Sequence, residues 1–182
     1  MKKIIFLLPV YNDWKSLLKV LGEIDLIIEK FSLYEFKCVV VNDSSTIQKP
    51  KIVKPKNLKS LTIIDMKENR GHARCNAFGL RYINLKEPYD YVIVMDSDGE
   101  DRPVEIIDLI NKIRENSEIS VVAKRVKRSE DLNFQTLYQI HKIITFNLKK
   151  KKINFGNYSC LIKRDLQILS DKPSLWSSFS GS

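Results

Sequence analysis

Short apolar runs recur along this chain at residues 3–8, 36–41, 60–65, 91–95 and 119–123. They are rich in Val and Ile and mostly unbroken by polar residues, the pattern of strands covered on both faces. Between them the apolar positions fall at helical spacing. Trp14, Leu17, Leu18, Leu21 and Ile28 mark one stripe, Ala73, Ala77 and Leu80 a second, and Ile106, Leu109, Ile110 and Ile113 a third. Pro103 stands at the first turn of the third, where its missing N–H is not needed. Strand alternating with helix predicts an α/β domain with a mainly parallel sheet flanked by helices.

In such a sheet ligands meet the C-terminal ends of the strands. Here the exits are polar: Tyr11-Asn12-Asp13, Asn42-Asp43-Ser44-Ser45, Asn69-Arg70-Gly71 and Asp96-Ser97-Asp98-Gly99-Glu100. The first exit has no glycine, and no phosphate-loop pattern occurs anywhere, so backbone amides alone do not cradle a diphosphate. Tyr11 offers a flat ring to a base and Asp43 a carboxylate to its edge. The plainer alternative is that Tyr11 packs and Asp43 turns the chain.

Asp96, Asp98 and Glu100 place three carboxylates at alternating positions directly after an apolar run. Crowded oxygens of one charge sign call for a cation, and hard oxygen donors suit Mg²⁺ or Mn²⁺, whose shell substrate phosphates complete. A calcium loop fails on spacing, because its sixth position would be Asp101 and its twelfth Ile107. A solvated acidic turn is the alternative. His72 and His141 show no metal or triad spacing and read as ordinary surface or helix residues.

Composition adds bounds. The 182 residues fit a single domain, and 43% hydrophobic with 29% charged residues is a globular balance. No stretch approaches the ~20 apolar residues of a membrane span. The apolar start at residues 4–8 is cut short by Pro9 and polar neighbours, which argues against a secretion signal. Cys38, Cys75 and Cys160 lack metal or redox spacing and read as reduced thiols of a cytoplasmic protein. Of the net +9, residues 1–123 carry only +1 and residues 124–182 carry +8. The C-terminal portion therefore suits an anionic partner or is a solvated basic surface.

The four exits, in this order, resemble the family 2 glycosyltransferases of the GT-A fold, a Rossmann-like architecture. Pro9-Val10-Tyr11-Asn12 looks like that family's opening motif. Val41-Asn42-Asp43-Ser44-Ser45-Thr46 is similar to its Val-Asp-Asp-Gly-Ser-Thr, with Asn42 and Ser44 as departures. Asn69-Arg70-Gly71 resembles its helix start, and Asp96-Ser97-Asp98 its metal-binding Asp-x-Asp. The resemblance implies an inverting, metal-dependent hexosyltransferase with a UDP- or GDP-sugar donor and Mg²⁺ or Mn²⁺ as cofactor. It assigns Pro9, Tyr11, Asn12, Asp43, Arg70 and Arg125 to the nucleotide sugar, with Asp43 reading the base. Asp96 would contact the sugar or ribose, Asp98 and Glu100 with Asp96 would hold the metal, and Asp96 and Asp98 would form the catalytic centre.

Within that family the chain looks like the polyprenyl- and dolichyl-phosphate sugar transferases. Gly156-Asn157-Tyr158-Ser159-Cys160-Leu161 is similar to their Gly-Asp-Phe-Arg-Leu segment, with Asn157 and Ser159 as departures. The expected division is a donor half at 1–123 and a basic acceptor-side portion at 124–182, in a chain that stops before that family does. No convincing general base follows Glu100, which favours an already ionised lipid phosphate as acceptor over a hydroxyl. Residues 132–148 followed by Lys149, Lys150, Lys151 and Lys152 suit peripheral attachment at the inner membrane face. The alternatives are a soluble transferase acting on a saccharide hydroxyl in cell-surface polysaccharide synthesis, a nucleotidyltransferase, and a basic nucleic-acid-binding module. The nucleotidyltransferase lacks its Gly-rich first loop. The nucleic-acid module leaves the carboxylates unexplained, so no nucleic-acid partner is expected.

Overall fold

The computed structural model describes residues 1–123 and 158–171. Arg125, the lysines at 149–152 and the expected amphipathic segment at 132–148 lie outside the described residues. The elements run β1 (Lys2–Val10), α1 (Trp14–Ile28), β2 (Tyr34–Asn42), β3 (Ser60–Asp65), α2 (His72–Lys86) and β4 (Tyr91–Val94). A short 3-10 turn (Pro103–Glu105) leads into α3 (Ile106–Glu115), followed by β5 (Val121–Val122), β6 (Ser159–Ile162) and α4 (Lys163–Ser170).

The strands form one sheet in the order β3-β2-β1-β4-β6-β5. The pairings β1/β2, β2/β3 and β1/β4 are parallel, and β6 is antiparallel to both β4 and β5. The mainly parallel α/β sheet expected from the apolar runs is thus present. β6 is an element that the pattern did not reveal. It lies inside the same sheet as the expected donor half, so the sheet does not divide at residue 123.

Continuous apolar strands are covered on both faces, as their composition requires. Along β1, Ile4, Phe6, Leu8 and Val10 enter one core with residues of α1 and α3. Ile5 and Leu7 enter the other, with Cys75, Leu80 and Leu166 of α2 and α4. Each such fully buried Leu, Ile or Phe contributes about 1.5–3 kcal/mol. Helix α2 sits close to the sheet at Gly79, where an added Cβ would fall 2.3 Å from Leu7 Cδ1. A side chain there would force buried Leu7 and Val41, or the helix itself, to shift.

The three cysteines are free and buried. Burial pushes the thiols of Cys38 and Cys160 well above the usual range and that of Cys75 up to about 12, so none is poised as a nucleophile.

Candidate functional site

β1 and β4 are neighbours, and the chain leaves β1 towards β2 on one side and β4 towards β5 on the other, so the connections after these two strands diverge. That divergence opens a crevice, the place where α/β sheets receive ligands. An open cleft of about 310 Å³ lies there, lined by Pro9, Tyr11, Asp13 and Asp43 on one side and by His72, Asp96 and Asp98 on the other.

The loops around it are held in tight shapes. Among the described residues, the positive-φ positions are Asn12, Ser44, Gly71 and Gly99, one on each polar exit. Gly71 and Gly99, at φ 84° and 88°, occupy conformations that side chains rarely adopt. Asn12 tolerates its φ of 60° because its amide oxygen accepts the Thr46 and Ile47 N–H groups at 2.8 and 2.9 Å. Asn12 N–H in turn donates to Ser45 Oγ at 2.8 Å. Asn12 therefore clasps the first exit to the second, and it does not line the cleft. Asn42 supports the same clasp by accepting the Ser45 N–H at 3.0 Å and donating to Asp65 at 2.9 Å. Asp13 caps α1, accepting the Ser16 N–H at 3.1 Å.

Asp43 is 3% exposed, and its two carboxylate oxygens accept the Arg70 and Gly71 N–H groups at 2.8 and 2.9 Å. It fixes the approach to α2 from the floor of the cleft. The Arg70 side chain pairs with Glu68 and is outside the lining. Tyr11 stands 48% exposed at the mouth with its ring available.

The loop after β4 is folded on itself. Asp96 N–H donates to Asp101 Oδ2 at 2.8 Å, Glu100 N–H donates to Asp98 Oδ1 at 2.8 Å, and the Ser97 hydroxyl donates to the Pro9 carbonyl. Asp96 and Asp98 line the cleft, whereas Glu100 does not. Among the described residues, no group of three His, Cys, Asp or Glu side chains is gathered as a metal cage. Two carboxylates completed by ligand phosphates and water still fit Mg²⁺ or Mn²⁺. His72, read from sequence as an ordinary residue, has Nε2 2.9 Å from Asp96 Oδ1. Its adjacency to the Asn69-Arg70-Gly71 turn was the available signal.

Just past this loop, burial pushes the Glu105 carboxyl up to about 7, against the nearby Arg102 and with Asp108 adding to the rise. Folding therefore favours the protonated form. Its contribution to stability is full below the unfolded value of about 4.5 and is lost as pH rises through about 7. Glu105→Gln is expected to flatten the fall in melting temperature between pH 5 and pH 8, measured by calorimetric scans across that range.

Comparisons with known proteins place this geometry. A 1–349 fragment of TarS from S. aureus superposes with a TM-score of 0.56 at 20% identity, over 92% of this chain and 49% of that one. The mannosyltransferase PcManGT from Pyrobaculum calidifontis gives a TM-score of 0.50 at 20% identity, over 69% of this chain and 35% of that one. A sequence relative, the uncharacterized protein MJ0544 of Methanocaldococcus jannaschii, is 27% identical over 144 residues, 78% of this chain and 60% of that protein. The chain thus spans less than two thirds of the length of each of these relatives. The structural likenesses establish the GT-A fold that the four exits implied. The model of glycosyl transferase family 2 matches residues 5–168, nearly the whole chain, and the chain belongs to that family.

Proposed function

We propose that this domain transfers a sugar, with inversion, from a nucleoside-diphosphate sugar to an acceptor, using Mg²⁺ or Mn²⁺. One observation carries the reading. The cleft at the strand ends is lined by four carboxylates, Asp13, Asp43, Asp96 and Asp98, and by no lysine or arginine among the described residues. An anionic diphosphate is repelled by such a surface unless a cation joins the two. The ligands of the structural neighbours support the same class of donor. TarS is complexed with UDP-GlcNAc and with UDP, and PcManGT with GDP-Man and Mn²⁺.

In this reading Asp96 and Asp98 hold the cation, with Glu100 shaping the loop through its N–H on Asp98. Bound there, the cation would offset the negative charge that builds on the departing diphosphate. Pro9 and Tyr11 form the wall against which the nucleoside lies, and Asp43 faces the base from the floor. Asn12 serves by clasping the loops rather than by touching the donor, and the Arg70 side chain, paired with Glu68 outside the cleft lining, would have to swing in to meet it. Arg125, outside the described residues, keeps its assignment to the donor from sequence alone.

The acceptor we favour is a polyprenyl phosphate. Each cleft carboxylate has a structural engagement: Asp13 caps α1, Asp43 grips two amides, Asp96 meets His72 and Asp98 closes its loop. In this reading Asp96 and Asp98 are taken by the cation and Asp13 and Asp43 by backbone amides, and a phosphate needs no deprotonation. The +8 balance of residues 124–182 fits approach to an anionic membrane surface. Among the described residues no helix is long and apolar enough to cross a membrane.

Thermal unfolding with UDP, GDP, ADP and CDP, each with and without Mn²⁺, tests the donor class. Stabilisation by UDP or GDP that requires the metal is expected. No shift with any diphosphate would sink the reading. Incubation of labelled UDP- and GDP-sugars with a polyprenyl phosphate then tests the acceptor. Label in the organic phase supports it, and label only on an added oligosaccharide overturns it.

A further inference from the structure

We propose that His72 is a positioning residue for Asp96, holding that carboxylate in the orientation from which it binds the cation; this rests on the metal reading above. The backbone at Asp96 is fixed by its N–H on Asp101, and the orientation of the carboxylate is set by the groups its oxygens touch. His72 Nε2 lies 2.9 Å from Asp96 Oδ1. With side-chain exposures of 43% and 25%, a pair of this kind adds little to the stability of a fold. Its effect is on where the second oxygen points.

The ring itself is held on a rigid base. His72 opens α2, directly after the two amides that Asp43 grips. One helical turn on, Asn76 is fully buried, with its amide nitrogen placed 2.8 Å from His72 Nε2. A neutral ring nitrogen carries either a proton or a lone pair. The two neighbours make opposite demands on Nε2: the carboxylate favours a proton there, the Asn76 amide nitrogen a lone pair. The carboxylates of two different strand exits are thereby tied together through the start of one helix. A partner behind a ligating carboxylate commonly accounts for about 10–100-fold in metal affinity.

The test uses the whole chain and three variants: His72→Ala, His72→Asn and His72→Gln. Glutamine carries an amide nitrogen near the position of Nε2, whereas asparagine is too short to reach Asp96. Binding of Mn²⁺ alone is followed by loss of the free-ion paramagnetic resonance signal. Binding of UDP and GDP is measured by calorimetry, with saturating Mn²⁺ and in EDTA. The expected result is a loss of about 10–100-fold in Mn²⁺ affinity for Ala and Asn, largely recovered in Gln. Melting temperature and nucleotide binding in EDTA should be unchanged in all three. Parent-like Mn²⁺ affinity in His72→Ala, or equal losses in Gln and Ala, would overturn the positioning role while leaving the donor reading intact. A parent that binds neither Mn²⁺ nor a metal–diphosphate pair would overturn both.

Discussion

Replacing Asp98 with alanine is expected to abolish metal-dependent binding of the nucleoside diphosphate while leaving the folded domain as stable as before. Asp98 is exposed at the cleft, and its one described contact is the Glu100 N–H at 2.8 Å within its own loop. Surface substitutions of this kind usually change stability by no more than about 0.5 kcal/mol. Removing one of several crowded carboxylates also relieves repulsion. Binding is a different matter, because a two-carboxylate site loses half of its protein donors. Affinity for UDP or GDP in the presence of Mn²⁺ should fall at least about 100-fold, or roughly 2.7 kcal/mol. Affinity in EDTA should not move. Calorimetry showing equal affinity with Mn²⁺ in variant and parent would remove Asp98 from the metal site.

Asp43→Ala should act on both the fold and the ligand. The carboxylate is buried, and it is the partner of two successive backbone N–H groups. Hydrogen bonds to a charged group are worth about 1.5–3 kcal/mol each, and relaxation of the turn recovers part of that. A net loss near 3 kcal/mol is the expected outcome, read from urea denaturation. Asp43→Asn keeps one acceptor oxygen but sets an amide donor against the other N–H, and should lose about half as much. If Asp43 also reads the base, UMP or GMP binding in EDTA will weaken in both variants. Unchanged binding alongside lowered stability would confine Asp43 to shaping the turn.

That double role shows where a linear sequence stops being informative. The parallel strands were legible because an apolar run covered on both faces leaves a local signature. The stripes of α1 and α3 were legible from spacing. Leu18 falls in the α1 stripe by spacing, yet it is 39% exposed, since it lies about 100° around the helix from buried Leu17. β6 was missed because it is four residues long and its partners are decided by chain returning from far away. The alternation of Asp96, Asp98 and Glu100 would put all three on one side only if the strand continued. β4 ends at Val94, and Gly99 at φ 88° turns the chain before Glu100, which is not part of the cleft lining. His72 was passed over for a related reason: its partner is 24 residues on, and only the packing of α2 against the sheet brings them together.

The position of β6 between β4 and β5 has a consequence for how the chain is made. β4 is synthesised well before Ser159–Ile162, the segment that will cover its open side. Until that segment leaves the ribosome, the edge of β4 away from β1 has no partner from Tyr91 to Val94, beside buried Val92, Ile93 and Val94. An uncovered apolar strand edge is a template for pairing with another chain. The nascent protein therefore passes through an interval in which its sheet is sticky on one side, and the closing stitch comes from its most basic third.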